Sequence, residues 1–175
     1  MDILVVRKLG CLISSLLTLF VLAGCGNSGV SVDTLRSLWA KQVNQEVTPL
    51  MKDVFAPISS QITSEIVLHS NESWDVPKDK LPNYKYGLQH AKQTENNLQD
   101  PTLVIHVRLN QPFASYQTNQ LAEQIWSAKQ QLSINGIKVG KIMMEYNGKI
   151  YVDASLQAIN EQGDIESYLN AGSKG

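Results

Sequence analysis

Within Thr102-Leu103-Val104-Ile105-His106-Val107-Arg108-Leu109, positions 103, 105, 107 and 109 are all aliphatic. Only a backbone of period two puts every second side chain on one side. The stretch therefore predicts a half-buried strand, with His106 and Arg108 on its other face. Asn110-Gln111-Pro112 ends it, because proline has no N–H to give to a ladder. Leu121, Ala122, Ile125, Trp126, Ala128 and Leu132 then recur at helical spacing. Ser115 or Thr118 is the expected cap, and Asn135-Gly136 the expected stop.

Two further strands flank Asn147-Gly148. A three-residue loop, Tyr146-Asn147-Gly148, would pair Glu145 with Lys149, Met144 with Ile150 and Ile142 with Val152. That register makes one face wholly apolar and places Gly148 at a left-handed position, where a missing Cβ removes the clash. Gly140 marks a strand start or a bulge. Strand, helix, strand, strand gives a small βαββ sheet with one helix-covered face, and the last strand has room between the other two, antiparallel to both. The tail around Asp164–Leu169 adds a helical turn, and residues 170–175 are expected to fray.

Upstream, Leu35, Trp39, Val43, Val47, Leu50 and Val54 form one apolar stripe, interrupted by Pro49. Ser31 or Asp33 suits the start of this helix. Thr48-Pro49 reads as the start of a second helix, so either a kink or two helices, 33–47 and 49–55, is expected. Residues 57–69 keep both helical and strand spacing, and periodicity alone leaves the two open. Residues 70–101 are polar, with Pro77, Pro82 and Pro101, and carry Trp74, Tyr84 and Tyr86. A helical segment is expected around 85–93 and surface loop elsewhere.

The N-terminus is different. Arg7 and Lys8 precede an apolar run from Cys11 to Val21, followed by Leu22-Ala23-Gly24-Cys25. At ~1.5 Å per residue a permanent span needs ~20 residues, so this run is too short to cross a bilayer comfortably. Basic flank, short apolar core and small residues are the parts of an export signal. Its last four residues resemble the lipobox of bacterial lipoproteins. That resemblance implies a diacylglyceryl group on the Cys25 thiol, cleavage before Cys25, and residence on the extracytoplasmic face of a bacterial membrane. Two acyl chains hold stably where one does not. Cys11 would leave with the signal, so no disulfide could form within the mature chain.

The resulting organisation is signal 1–24, lipidated Cys and tether 25–32, helical region 33–69, polar linker 70–101, βαββ core 102–169 and tail 170–175. The fold class is α+β, with N-terminal amphipathic helices on a small βαββ sheet.

Charge is balanced, 15 basic against 16 acidic residues, and no basic stripe points to nucleic acid. His69, His90 and His106 have no neighbouring His or Cys at ligand spacing, so neither metal nor cofactor is expected. Asp153, Ser155 and His106 are residue types of a hydrolytic triad, but no G-x-S-x-G elbow lifts the serine, and no catalytic residue is assigned. His106 and Arg108 on an uncovered sheet face are a candidate anion site. Trp74, Tyr84 and Tyr86 are candidate interface anchors. These features fit a non-enzymatic binding or assembly module held at the membrane through Cys25, with another envelope protein or wall polymer as partner. The competing readings are a small envelope-acting enzyme and a small-ligand-binding lipoprotein. An enzyme requires His106 or His90 to meet a carboxylate or hydroxyl in a concave pocket. A binding module requires a contiguous apolar or aromatic patch outside.

Overall fold

In a computed structural model, residues 30–69, 77, 79–81, 83–96 and 98–172 are described, the side chains of 60, 171 and 172 excepted. The elements in order are α1 (Val32–Phe55), β1 (Ser59–Val67), α2 (Tyr84–Gln89), β2 (Lys92–Gln93), β3 (Gln99–Asp100), β4 (Thr102–Leu109), α3 (Thr118–Ile134), β5 (Gly140–Tyr146), β6 (Lys149–Ser155) and α4 (Gln162–Gly172). The α+β class stands. The signal run and Cys25 lie outside the described residues. Among those that are described, no helix is long and apolar enough to cross a membrane.

Ser31 caps α1, its Oγ accepting from the Thr34 N–H at 3.3 Å. The helix does not divide at Pro49 but runs unbroken through it. Pro49 removes the N–H that would bond the Gln45 carbonyl, and Gln45 is exposed, so water can take that bond. Thr48 is not an N-cap; it is nearly buried, and its hydroxyl donates to Asn44 Oδ1 at 3.5 Å. With no break, the stripe continues from Val47 to Met51 and Phe55, both fully buried. Leu50 and Val54 stand at its margin.

The undecided stretch 57–69 is mostly strand. Ile62, Ser64 and Ile66 face inward, while Gln61, Thr63 and Glu65 face out. β1 pairs antiparallel with β4, Thr63 opposite His106 and Val67 opposite Thr102. That pairing adds a strand to the predicted three, and the sheet order is β1-β4-β5-β6. β6 does not insert between the other two: β5 lies parallel and adjacent to β4, Ile105 opposite Ile142, and β6 takes the edge. β1 fills the other side of β4, so the only open place for the hairpin's second strand is beyond β5. A separate two-stranded ribbon, β2–β3, precedes β4.

The hairpin register also differs from expectation. Tyr146 pairs with Lys149, so the loop is the two residues Asn147 and Gly148, at φ 50° and 79°. Two successive left-handed residues match the right-handed twist of the strands they join. Glu145 pairs with Ile150 and Met144 with Val152, leaving Tyr151 as the extra residue of a bulge. The bulge restores parity. Ile142, Met144, Val152 and Ala154 are buried together, while Ile150 is 50% exposed rather than facing the core.

α3 begins without a side-chain cap: Gln117 holds that place, and neither Ser115 nor Thr118 does. Its end is as predicted. Gly136, at φ 78°, donates to Ser133 O at 3.0 Å, and Ile137 N donates to Leu132 O at 2.9 Å, while both apolar side chains join the core. The tail is a longer helix than the single turn expected, and Asp164 fixes its start. Its Oδ2 accepts from the Asn160 and Glu161 N–H groups at 2.7 and 3.1 Å. α1 and α3 cover one face of the sheet, with Trp39, Met51, Phe55, Leu121 and Ile125 against Ile105, Val107 and Met144.

Candidate binding face

The other face of the sheet is set by the alternation that buries the first. Register places Thr63, His106, Met143 and Asp153 in one row across four strands. Glu65, Val104, Lys141 and Ser155 form the next. Diagonal and lateral neighbours then meet. His106 Nε2 lies 2.9 Å from Glu65 Oε1. Arg108 Nε donates to Glu145 Oε1 at 2.9 Å, and its Nη1 donates to Gln61 Oε1 at 2.6 Å. Lys141 Nζ donates to Asp153 Oδ2 at 3.0 Å.

His106 and Arg108 therefore stand side by side where the alternation put them, but they are not a vacant anion site. Each already faces a carboxylate, and an incoming anion would have to displace it. These pairs are largely exposed, so each contributes at most ~1 kcal/mol to stability. Arg108 and Lys141 each offset a carboxylate, and His106 shares a hydrogen bond with Glu65.

Beside this network lies a groove of about 320 Å³. Val67, Val104 and Met143 give it an apolar floor. Leu98, from the β2–β3 ribbon, lines one side and is 46% exposed, while Glu65 and His106 stand at the rim. Val104 points to this uncovered face yet is only 3% exposed. Gly140 is needed where β5 begins, because a Cβ there would stand 2.8 Å from the Leu103 carbonyl oxygen.

The groove occupies a particular end of the sheet. Val67 pairs with Thr102, Leu103 with Gly140 and Lys141 with Ser155. Arg36, in the second turn of α1, donates from Nη2 to the Leu68 carbonyl at 3.0 Å. The start of α1 and the groove thus share one end of the molecule.

No triad forms. Asp153 is held by Lys141, and Ser155 Oγ bonds the Gln157 side-chain amide at 2.9 Å. Met143 lies between His106 and Asp153 in the sheet. Among the described residues no His, Cys, Asp and Glu group has the geometry to hold a metal.

The aromatic candidates divide. Tyr84 is not an exposed anchor. It is 1% exposed, and its hydroxyl donates to Glu46 Oε2 at 3.0 Å. Burial, then that bond and the Glu46 charge, push the phenol well above its usual range. Tyr86 is half-buried and stacks on His90 at 4.0 Å between centroids. Tyr84 ties α2 to α1, whereas Tyr86 packs one side on the core and leaves part of its ring exposed. Trp74 lies outside the described residues, as does Cys25.

Sequence reasoning missed Glu65 and Leu98. The outward alternation Gln61-Thr63-Glu65 would have pointed to Glu65 once the stretch was taken as a strand. Nothing in the sequence marks Leu98. No family model, curated protein or solved structure matches this chain.

Proposed function

We propose that the chain is a lipid-anchored, extracytoplasmic binding module of a bacterial envelope, docking another envelope protein or wall polymer on its uncovered sheet face. The observation that carries this reading is that face itself, a hydrogen-bonded network of charged side chains beside an apolar-floored groove. A surface so prepared presents apolar area beside charged groups that already have hydrogen-bond partners, which lowers the cost of covering it. Val32, the first residue of α1, follows Cys25 by seven residues, so the tether spans at most ~25 Å. With lipid on Cys25, the groove end would lie near the membrane.

Crosslinking in native membranes tests this, with Cys25→Ser and Met143→Asp as comparisons. A defined adduct in the membrane fraction should be lost in Met143→Asp and displaced from that fraction in Cys25→Ser. Identical adducts in all three forms would end the reading.

One observation favours a second reading, an enzyme acting on envelope material. His106 meets the Glu65 carboxylate at 2.9 Å at the rim of a concave groove, an arrangement able to orient an imidazole as a general base. Among the described residues no serine hydroxyl bonds that imidazole, and Ser155 Oγ bonds Gln157 instead. Turnover of cell-wall fragments that disappears in His106→Ala would establish it, and its absence in the wild-type chain would dismiss it.

A further inference from the structure

At the opposite end of the sheet a second cleft, of about 470 Å³, opens beside the first residues of β6. Phe113, Tyr116, Lys149, Ile150, Tyr151 and Leu169 line it. The bulge that makes Tyr151 an extra residue aims its side chain at Phe113, and the two rings stack at 5.0 Å with planes 6° apart. The Tyr116 ring is fixed by its hydroxyl, which donates to Ile58 O at 3.0 Å and accepts from the Gln111 N–H at 3.1 Å. These anchors are preorganised, which lowers the entropy lost when something binds.

Two features say what fits. Lys149 is the single charged residue of the lining. Among the described residues it has no carboxylate partner, only the Tyr151 ring 5.0 Å below its Nζ. β6 is also an edge strand. The Tyr168 hydroxyl caps that edge at Asp153 O, 3.3 Å away, but among the described residues no side chain bonds the main chain of Ile150 or Tyr151. A segment lying along this edge can therefore use main-chain hydrogen bonds, the aromatic and aliphatic side chains of the cleft, and one cation together.

We propose that the cleft docks an extended, acidic segment of a partner polypeptide. An aliphatic side chain sits against Ile150, Tyr151 and Leu169, and a neighbouring carboxylate rests on Lys149. A sugar chain is disfavoured, because the Tyr151 ring is already engaged by Phe113 and Lys149. The proposal goes beyond the binding-module reading, since it concerns a second site at the other end of the sheet, and it holds whether or not Cys25 carries lipid.

The test is an amide NMR titration of the full chain in detergent micelles. The probe is a blocked eight-residue peptide alternating valine and aspartate. Its comparisons are the same peptide with lysine for aspartate, and a soluble tetramer of N-acetylglucosamine. Saturable shifts are expected at 149–152 and 113–116 with the acidic peptide, with at least tenfold weaker binding of the basic one. Lys149→Glu should reverse that preference, and Ile150→Asp should abolish the shifts while leaving the rest of the spectrum in place. No saturable shift, equal affinity for both peptides, shifts confined to the other sheet end, or a response to the sugar alone would each overturn it.

Discussion

A Cβ added at Gly87 would stand 2.4 Å from Cη2 of Trp39. Trp39 is fully buried, and its indole N–H donates to the Leu81 carbonyl at 2.8 Å, so it has nowhere to withdraw. The short helix α2 packs against α1 only because residue 87 has no side chain.

Gly87→Ala sets two effects against each other. Helix propensity favours alanine by ~1 kcal/mol, whereas overpacking a filled site costs ~1–3 kcal/mol. With the tryptophan fully buried and its N–H bonded, overpacking wins. Urea unfolding of Gly87→Ala should give a net loss of up to about 2 kcal/mol.

Tyr84 gives the protein an alkaline limit. The folded-state phenol titrates above the ordinary value of about 10, so the unfolded chain releases that proton first. Stability from this group is complete below about pH 10 and falls as pH rises toward the folded-state value. Tyr84→Phe loses the bond to Glu46, about 1 kcal/mol at neutral pH, since Glu46 is itself half-exposed. Denaturation midpoints followed from pH 8 to 11 should show the variant's deficit narrowing above about pH 10.

Asp164 acts at the other limit. The N–H groups of Asn160 and then Glu161 hold its carboxyl below the usual range. A depressed folded-state value means stability that is present above about pH 4 and is lost as pH falls through the folded-state value. Asp164→Asn should lower Tm at pH 7, with the deficit closing toward pH 2. A deficit independent of pH would contradict the assignment.

Ser64 is 5% exposed on the inner face of β1, and its hydroxyl has no hydrogen-bond partner among the described residues. An unmade bond at a buried donor costs ~1–3 kcal/mol, and alanine removes the donor with little volume change. Ser64→Ala should raise the urea midpoint, with a gain of about 1 kcal/mol and an unchanged m value.

The faces of β4 were readable because side-chain parity is a property of a single strand. The same holds for the end of α3, where Gly136 supplies the left-handed residue that closes the helix. Gly148 was rightly placed in that conformation as well. The loop length was not, because a bulge at Tyr151 resets parity, and no local pattern signals which residue will be extra. At the binding face, the direction of His106 and Arg108 followed from alternation, but their partners did not. Glu65 reaches His106 only through the β1–β4 register, 41 residues apart in sequence. Tyr84 was misplaced for a related reason: its chain neighbours are polar, yet its burial comes from a distant helix.

Periodicity thus determined that 102–109 is strand and 118–134 helix, and which side of each is apolar, since these arise from sterics within a few residues. It left 57–69 open, and Pro49 and the caps expected for α3 pointed the wrong way. The order β1-β4-β5-β6, the uninterrupted α1 and every ion pair across the open face were decided only when distant segments packed. A register is a choice among pairings that are locally equivalent. The chosen one is that in which Ile62, Ile66, Leu103, Ile105, Ile142 and Val152 bury against α1 and α3 together.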